Sequence, residues 1–192
     1  MASNPLPPGV RQPGSVGVET GVEIAILNEK GDLLPRETRG EVAIRGRNVF
    51  SGYEDNSEAN AVSFTNGWFR TGDEGYLDSG GYLTLVGRIK ELINRGGEKI
   101  APREIDEALA SHPAVAEAVS FAVSDRVYGE EVAAAVVLHS AATEAELMKH
   151  CKTLLADFKI PKKIHILESI PRTATGKIQR RLVAAKVTGL DQ

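Results

Sequence analysis

Apolar and polar positions follow two different rhythms along this chain. Through the first ninety residues the rhythm is short and interrupted by glycine. Val22 to Leu27 alternates into a strand, and Asn28-Glu29-Lys30-Gly31-Asp32 is turn material with a hairpin partner around Leu33-Leu34. Glu41 to Arg45, Trp68 to Arg70 and Tyr82 to Val86 read as further strands. Asp78-Ser79-Gly80-Gly81 joins a short run, Tyr76-Leu77, to the last of them as a hairpin. Ser57 to Phe64 predicts a short helix with Ser57 as N-cap, and Asn60 stands where a capping box would place Glu or Gln. Met1 to Pro13 holds four prolines and no periodicity, which predicts loop or disorder. This half is mostly β, a small barrel or the remainder of one.

The rhythm changes at Gly87–Ile100. Two short strands around the Gly96-Gly97 pair are expected there, because glycine accepts the positive φ of a tight turn. Pro102 then suits a first helical position, where its missing N–H costs nothing. Ile105, Ala108 and Leu109 mark one face of a helix from Pro102 to His112, weakly capped by Ala101. Val115 to Val123 and Val132 to Leu138 are continuous apolar strands. Thr143 and Glu146 form a capping box for a helix from Glu144 to Phe158, with Leu147, Cys151, Leu154, Leu155 and Phe158 as its buried stripe. Lys163 to Leu167 is a last strand. Gly176 to Lys186 is a last helix with Ile178, Leu182 and Val183 inward. The expected fold is α+β: a β-rich part over residues 1–89, then a compact α+β domain over 90–192 with helices on a small sheet.

Composition narrows the function classes. A formal net charge of −3 gives no global reason to expect nucleic acid. A single cysteine, Cys151, excludes an internal disulfide and a multi-cysteine metal site, and reads as helix core. His112, His139, His150 and His165 are scattered without metal-ligand spacing. No apolar run approaches the roughly 18 residues of a membrane span. The N-terminus lacks the apolar core of a signal peptide, and Gly189-Leu190-Asp191-Gln192 does not end in a peroxisomal tripeptide. The expected setting is cytoplasmic. Lys159, Lys162, Lys163, Arg172, Lys177, Arg180, Arg181 and Lys186 cluster with Glu168 as the only acid in that span. Such a cluster suits a polyanionic small molecule or is a solvated helix face.

Three motifs point to one family. Gly67-Trp68-Phe69-Arg70-Thr71-Gly72-Asp73, Gly87-Arg88-Ile89-Lys90-Glu91-Leu92-Ile93 with Asn94-Arg95-Gly96-Gly97-Glu98-Lys99-Ile100, and Pro171-Arg172-Thr173-Ala174-Thr175-Gly176-Lys177 follow one another in order. Together they resemble the acyl-adenylate-forming ligases: acyl-CoA synthetases, luciferases and peptide-synthetase adenylation domains. The resemblance spans nearly the whole chain, and its nearest branch is the plant-type oxalate–CoA ligases. There Asn4-Pro5-Leu6-Pro7, Ile93 to Ile100 and Gly176-Lys177-Ile178-Gln179-Arg180-Arg181 carry the likeness.

The resemblance implies a role for each motif. Lys177 would be catalytic, bridging the substrate carboxylate and the α-phosphate of ATP; Thr175 stands before it where the family commonly has Ser. Asp73 and Arg88 would bind the nucleotide ribose or phosphate. The residue-level alternatives are an Asx turn for Asp73 and a salt bridge for Arg88. Lys90 would be the pivot about which the small domain turns between two half-reactions. Gly96 and Gly97 would line the CoA pantetheine tunnel. Tyr128-Gly129-Glu130-Glu131 follows a pattern usual in the family and reads as a structural loop, and Trp68 reads as packing.

ATP, Mg²⁺ and CoA are the implied cofactors and partners, with a small-molecule carboxylate as substrate and no membrane or nucleic-acid partner. The family's Ser/Thr/Gly-rich phosphate loop, acyl-pocket segment and Thr-Glu adenine segment have no counterpart here. Neither a Walker loop nor a Gly-x-Gly-x-x-Gly occurs in their place. The expectation is therefore the C-terminal portion of an ATP-dependent carboxylic acid–CoA ligase, inactive alone, with a separate N-terminal adenylation part as a candidate partner. The competing expectation is a non-catalytic nucleotide- or CoA-binding module derived from that fold.

Overall fold

The computed structural model describes residues 1–189. The chain forms two compact units, Met1–Lys90 and a second beginning at Glu91.

In the first unit β1 (Ala2–Ser3) pairs with β2 (Val18–Glu19). Asn4 fixes the proline-rich entry, because its side-chain amide donates to Ser15 O and accepts from Gln12 N–H. Gln12 in turn donates to Asp78 at 2.8 Å. The segment predicted as loop or disorder is therefore tied down by side chains that carry no periodic signal. The main sheet contains β3 (Glu23–Leu27), β4 (Gly40–Arg45), β5 (Phe64–Thr65), β6 (Trp68–Leu77) and β7 (Leu83–Arg88). Its order is β3-β4-β6-β5, with β7 also on β6, and all neighbours are antiparallel.

The two short runs predicted around Trp68 and Tyr76 are one long strand. Irregular register on both sides of it lets the strand bend without ending. Gly75 permits this, since a Cβ there would lie 2.6 Å from Thr84 O and 2.8 Å from Val42. Ile24, Ile26, Val42, Ile44 and Leu83 pack one face, and Ala25, Leu27, Ala43 and Trp68 the other. The short helix α1 (Ser57–Ser63) is capped by Asn56, not Ser57. Asn60 serves the preceding loop instead of a capping box: it accepts from Tyr53 N–H and donates to Tyr53 O.

In the second unit β8 (Ile93–Arg95) and β9 (Glu98–Ile100) form the hairpin expected around Gly96-Gly97. Next come α2 (Pro102–Ala110), β10 (Val115–Asp125), β11 (Gly129–Leu138), α3 (Glu144–Leu154), β12 (Lys163–Leu167) and α4 (Arg180–Thr188). Strand β11 is the centre of the sheet: antiparallel to β10, parallel to β12, and bridged at Gly129 to Arg95 of the hairpin. Its side chains alternate between two cores. Val132, Ala134 and Val136 face Ile105 and Leu109 of α2 and Leu147 and Cys151 of α3. Ala133 and Ala135 face Phe121, Ile170 and Val183 of α4. With helices on both faces, an uninterrupted apolar run is what β11 requires.

Two helix boundaries differ from the pattern by about a turn. The capping box of α3 forms as expected, but the helix stops at Leu154. Leu155 turns extended (φ −116, ψ 149) and occupies the core, leaving Leu154 54% exposed. Phe158 follows in a separate 3₁₀ turn, Asp157–Lys159. Helix α4 begins at Arg180 instead of Gly176, because residues Arg172 to Ile178 close a small hairpin. Of the three side chains predicted inward there, only Val183 is buried, while Ile178 and Leu182 are more than a third exposed.

Leu147→Ala should therefore cost about 2–5 kcal/mol, the usual range for emptying a packed leucine site. Leu154→Ala should stay within about 0.5 kcal/mol, as for an exposed position. Urea denaturation of the two variants checks the contrast, and equal losses would contradict the helix end described here.

Candidate functional site

The residues singled out by the sequence fall in both units, and each group has its own local logic. In the first unit Thr71, Gly72 and Asp73 lie on β6, with Asp73 opposite Arg88 across the β6–β7 pair. Register thus sets the carboxylate beside the guanidinium, Asp73 Oδ1 to Arg88 Nε at 2.7 Å. Arg88 also donates to Thr71 O at 3.1 Å. Thr71 Oγ1 donates to Val42 O and accepts from Asp73 N–H. The turn hydrogen bonds come from Thr71, so Asp73 is not an Asx-turn residue. Gly72, at φ +73, gives its N–H to Glu41, which also binds Arg70. Of this pair the Arg88 side chain is the more open, 59% exposed against 25% for Asp73. Lys90 sits in a single 3₁₀ turn, Ile89–Glu91, and is the last residue of the first unit.

In the second unit the Gly96-Gly97 turn has φ +59 and +96, values that disfavour any side chain. Gly96 N–H donates to Tyr128 O at 2.9 Å, and Gly97 N–H to Asn94 Oδ1 at 3.1 Å.

Lys177 occupies the other loop. Thr173 N–H donates to Lys177 O at 2.9 Å, and Lys177 N–H donates to Thr173 Oγ1 at 3.1 Å. An antiparallel bridge, Arg172 to Ile178, closes the base of this loop. Arg172 adds a donor to Gly176 O and an ion pair to Glu117. Gly176 at φ +79 makes the turn. Lys177 is therefore presented, exposed, from a hydrogen-bonded hairpin and not from the first turn of a helix.

The basic cluster changes character in three dimensions. Lys159 pairs with Glu104, Lys162 with Asp125 and Glu131, Lys163 with Glu144, Arg172 with Glu117, and Arg180 with Glu91 and Asp106. Among the described residues of that cluster, Lys177, Arg181 and Lys186 have no ion pair. Acids from other elements neutralise the rest, which one-dimensional charge counting cannot show.

The sequence placed Arg180 in the basic cluster but gave it no role of its own. Its Nε reaches Glu91 at 2.9 Å, its Nη2 reaches Asp106 at 2.8 Å, and its Nη1 donates to Ser120 O at 2.8 Å. Burial disfavours its charge, but Asp106 and Glu91 outweigh burial and raise its pKa. Ser120 lies 60 positions away along the chain and Glu91 lies 89, so no local pattern announces the cluster.

Cys151 is fully buried, and burial pushes its thiol up to about 11. That is the behaviour of a core residue and not of a nucleophile. Among the described residues no group of three or more His, Cys, Asp or Glu side chains could hold a metal ion. No helix among them is long and apolar enough to cross a membrane.

With this geometry in place, comparison with known proteins gives a consistent result. Residues 104–177 match the AMP-binding enzyme C-terminal domain. An oxalate–CoA ligase of Arabidopsis thaliana is 55% identical over 96% of this chain and 36% of its own length. An oxalate–CoA ligase of Saccharomyces cerevisiae is 53% identical over 96% of this chain and 35% of its own length. Among solved structures, ATP-bound MatB from Rhodopseudomonas palustris gives a TM-score of 0.90 at 34% identity, covering all of this chain and 39% of that one. The chain spans about a third of the length of the relatives it matches.

One electrostatic consequence is testable directly. Glu131 is nearly fully buried, and burial alone would raise its pKa. Hydrogen bonds from Arg95 and Val132 N–H, with the charges of Arg95 and Lys162, outweigh burial and lower it below 4.5. A depressed folded-state pKa contributes stability that is fully present above the unfolded value and is lost as pH falls through the folded one. Wild-type stability should therefore fall as pH drops below the ordinary carboxylate range. Glu131→Gln should be less stable at pH 7 yet show a shallower acid loss, measured by denaturation at a series of pH values. Parallel pH profiles would contradict the assignment.

Proposed function

We propose that this chain is the C-terminal portion of an ATP-dependent carboxylic acid–CoA ligase of the oxalate–CoA ligase type, a cytoplasmic enzyme. The reaction has two halves. A carboxylate oxygen attacks the α-phosphorus of ATP, forming acyl-AMP as pyrophosphate leaves. The CoA thiolate then attacks the acyl carbon, forming acyl-CoA as AMP leaves.

The observation that carries the reading is the Lys177 loop. It lies within the family segment, presents one exposed lysine from a hydrogen-bonded hairpin, and leaves that lysine without a carboxylate partner while most neighbouring cations have one. An ammonium of this kind can touch a substrate carboxylate and an α-phosphate together. It would stabilise the charge that builds up as the phosphorus becomes five-coordinate. Asp73, with Oδ1 held by Arg88, can accept ribose hydroxyls on Oδ2, and the open edge of Arg88 can meet ribose or phosphate. Lys90, at the junction of the compact units, is the pivot in this reading. Gly96 and Gly97 offer bare backbone to the pantetheine arm.

ATP enters such reactions with Mg²⁺, whose charge would assist pyrophosphate departure. No group of three or more His, Cys, Asp or Glu side chains among the described residues could hold that ion, so its ligands here would be ATP phosphates and the remainder of the ligase. The remainder of the ligase, by this account, supplies the phosphate-binding and acyl-binding segments. A small dicarboxylate is the substrate favoured by the two oxalate–CoA ligase relatives.

The test uses this chain joined to the preceding two thirds of a related ligase. Lys177→Ala should slow pyrophosphate release by on the order of 10²–10³. Thioester formation from supplied acyl-adenylate should continue. Lys90→Pro, which fixes φ near −65°, should instead spare adenylation and slow CoA capture. Equal loss of both steps in folded Lys177→Ala protein would overturn the assignment. A joined protein that binds nucleotide or CoA but turns over neither step would favour a non-catalytic module.

A further inference from the structure

We propose that Arg95, Tyr128 and Glu130 form a brace that sets the Gly96-Gly97 turn, and that they are positioning residues for the thioester-forming half-reaction. The inference rests on the reading of that turn as part of the CoA path.

Two features of the turn require outside support. Its glycines have left-handed backbone, φ +59 and +96, and its strands are only three residues each. A hairpin this short is marginal unless something packs on it. The Tyr128 segment supplies several contacts. Gly96 N–H donates to Tyr128 O at 2.9 Å. The Arg95 guanidinium lies 3.9 Å from the centre of the Tyr128 ring. Its Nε is held to Glu131 at 2.7 Å, so the cation is oriented before it meets the ring. On the other side, Glu130 Oε2 accepts Asn94 N–H at 2.7 Å, and Asn94 Oδ1 accepts Gly97 N–H. The backbone N–H groups of Asn94, Gly96 and Gly97 are thereby all committed.

The ring also explains the first glycine. A Cβ on Gly96 would stand 3.0 Å from Tyr128 Cδ1, tighter than ordinary contact, whereas a Cβ on Gly97 would meet nothing within 4 Å. Gly96 is closed off by Tyr128, and Gly97 is the open position. That asymmetry assigns Gly97 to the ligand side and Tyr128 to the supporting side. Asp125 holds the segment from below, accepting N–H donors from Val127 and Tyr128. What reads in sequence as a structural loop is thus connected, contact by contact, to the turn nearest the proposed thiol path. A turn displaced by about 1 Å can cost on the order of a hundredfold in a positioned reaction.

The experiment measures both half-reactions in the joined ligase for Tyr128→Ala, Tyr128→Phe, Glu130→Ala and Gly97→Leu. Tyr128→Ala and Glu130→Ala should slow CoA capture of supplied acyl-adenylate by on the order of ten- to a hundredfold. Pyrophosphate release without CoA should stay within about twofold of wild type. Tyr128→Phe should restore capture, because the stack and the carbonyl contact do not need the hydroxyl. Gly97→Leu reports on the underlying CoA reading. If Gly97→Leu blocks capture while Tyr128→Ala and Glu130→Ala leave it unchanged, the brace is wrong and the CoA path stands. If Gly97→Leu leaves capture intact, the CoA reading of the turn fails first. Equal slowing of both half-reactions by Tyr128→Ala and Glu130→Ala would also overturn the brace, since it would mark a general structural role.

Discussion

The guanidinium of Arg180 joins three parts of the second unit that sequence keeps far apart. It binds Glu91 at the start of the unit, Asp106 on α2, and the Ser120 carbonyl on β10. Asp106 is itself anchored, since its Oδ1 accepts from Ser120 N–H at 2.6 Å. The Arg180 and Asp106 side chains are 22% and 19% exposed while Glu91 is 45% exposed, so the Arg180–Asp106 pair carries most of the energy of the cluster. Its position gives that energy a direction. Arg180 opens α4 shortly after Lys177, and Glu91 follows Lys90 directly. One side chain therefore fixes the base of the loop carrying the proposed catalytic lysine against the segment that leaves the proposed pivot.

The sheet of the second unit distributes its loops around the same strand. Because β11 runs through the centre, its N-terminal end meets the β8–β9 hairpin, while its two faces hold α2 and α3 on one side and α4 on the other. The turn and the lysine loop are thus separate structures on one sheet and its covering helices. A single unit can then offer two different groups without rearranging internally, which is what two half-reactions sharing one acyl group would require. The cations that could have competed with Lys177 for a polyanion are mostly neutralised by carboxylates from other elements.

Much of this was legible before the fold was known, and the exceptions share a cause. The mainly apolar runs at Val115–Val123 and Val132–Leu138 identified β10 and β11, and Thr143 with Glu146 identified the start of α3. Local spacing failed where a competing hydrogen bond decided the outcome. Ile178 and Leu182 have helical spacing, but the Thr173–Lys177 hydrogen bonds hold that stretch as a hairpin and delay α4 to Arg180. Leu154 continues the stripe of α3, yet the chain leaves the helix and Leu155 takes the core position. Asn56 took the cap expected of Ser57 because its carboxamide reaches Ala59 N–H at 2.9 Å. For the site, the motifs named Asp73, Arg88, Gly96, Gly97 and Lys177, whereas Arg180 and the Arg95–Tyr128 stack depend on partners from distant parts of the chain. No short window along the sequence contains both halves of such a contact.

In the proposed mechanism one unit presents the Lys177 loop for adenylation and the Gly96-Gly97 turn for thioester formation by turning about Lys90. Double electron–electron resonance on the joined ligase tests this most directly. Spin labels would be attached through Ala174→Cys, beside the lysine, and Val62→Cys, on α1. Both sites are exposed, while Cys151 is buried with a thiol pKa of about 11 and should not react with the label. One distance distribution is expected with a non-reactive ATP analogue and a clearly different one with an acyl-adenylate analogue plus CoA. A single unchanged distribution in both states, in protein that turns over normally, would contradict it.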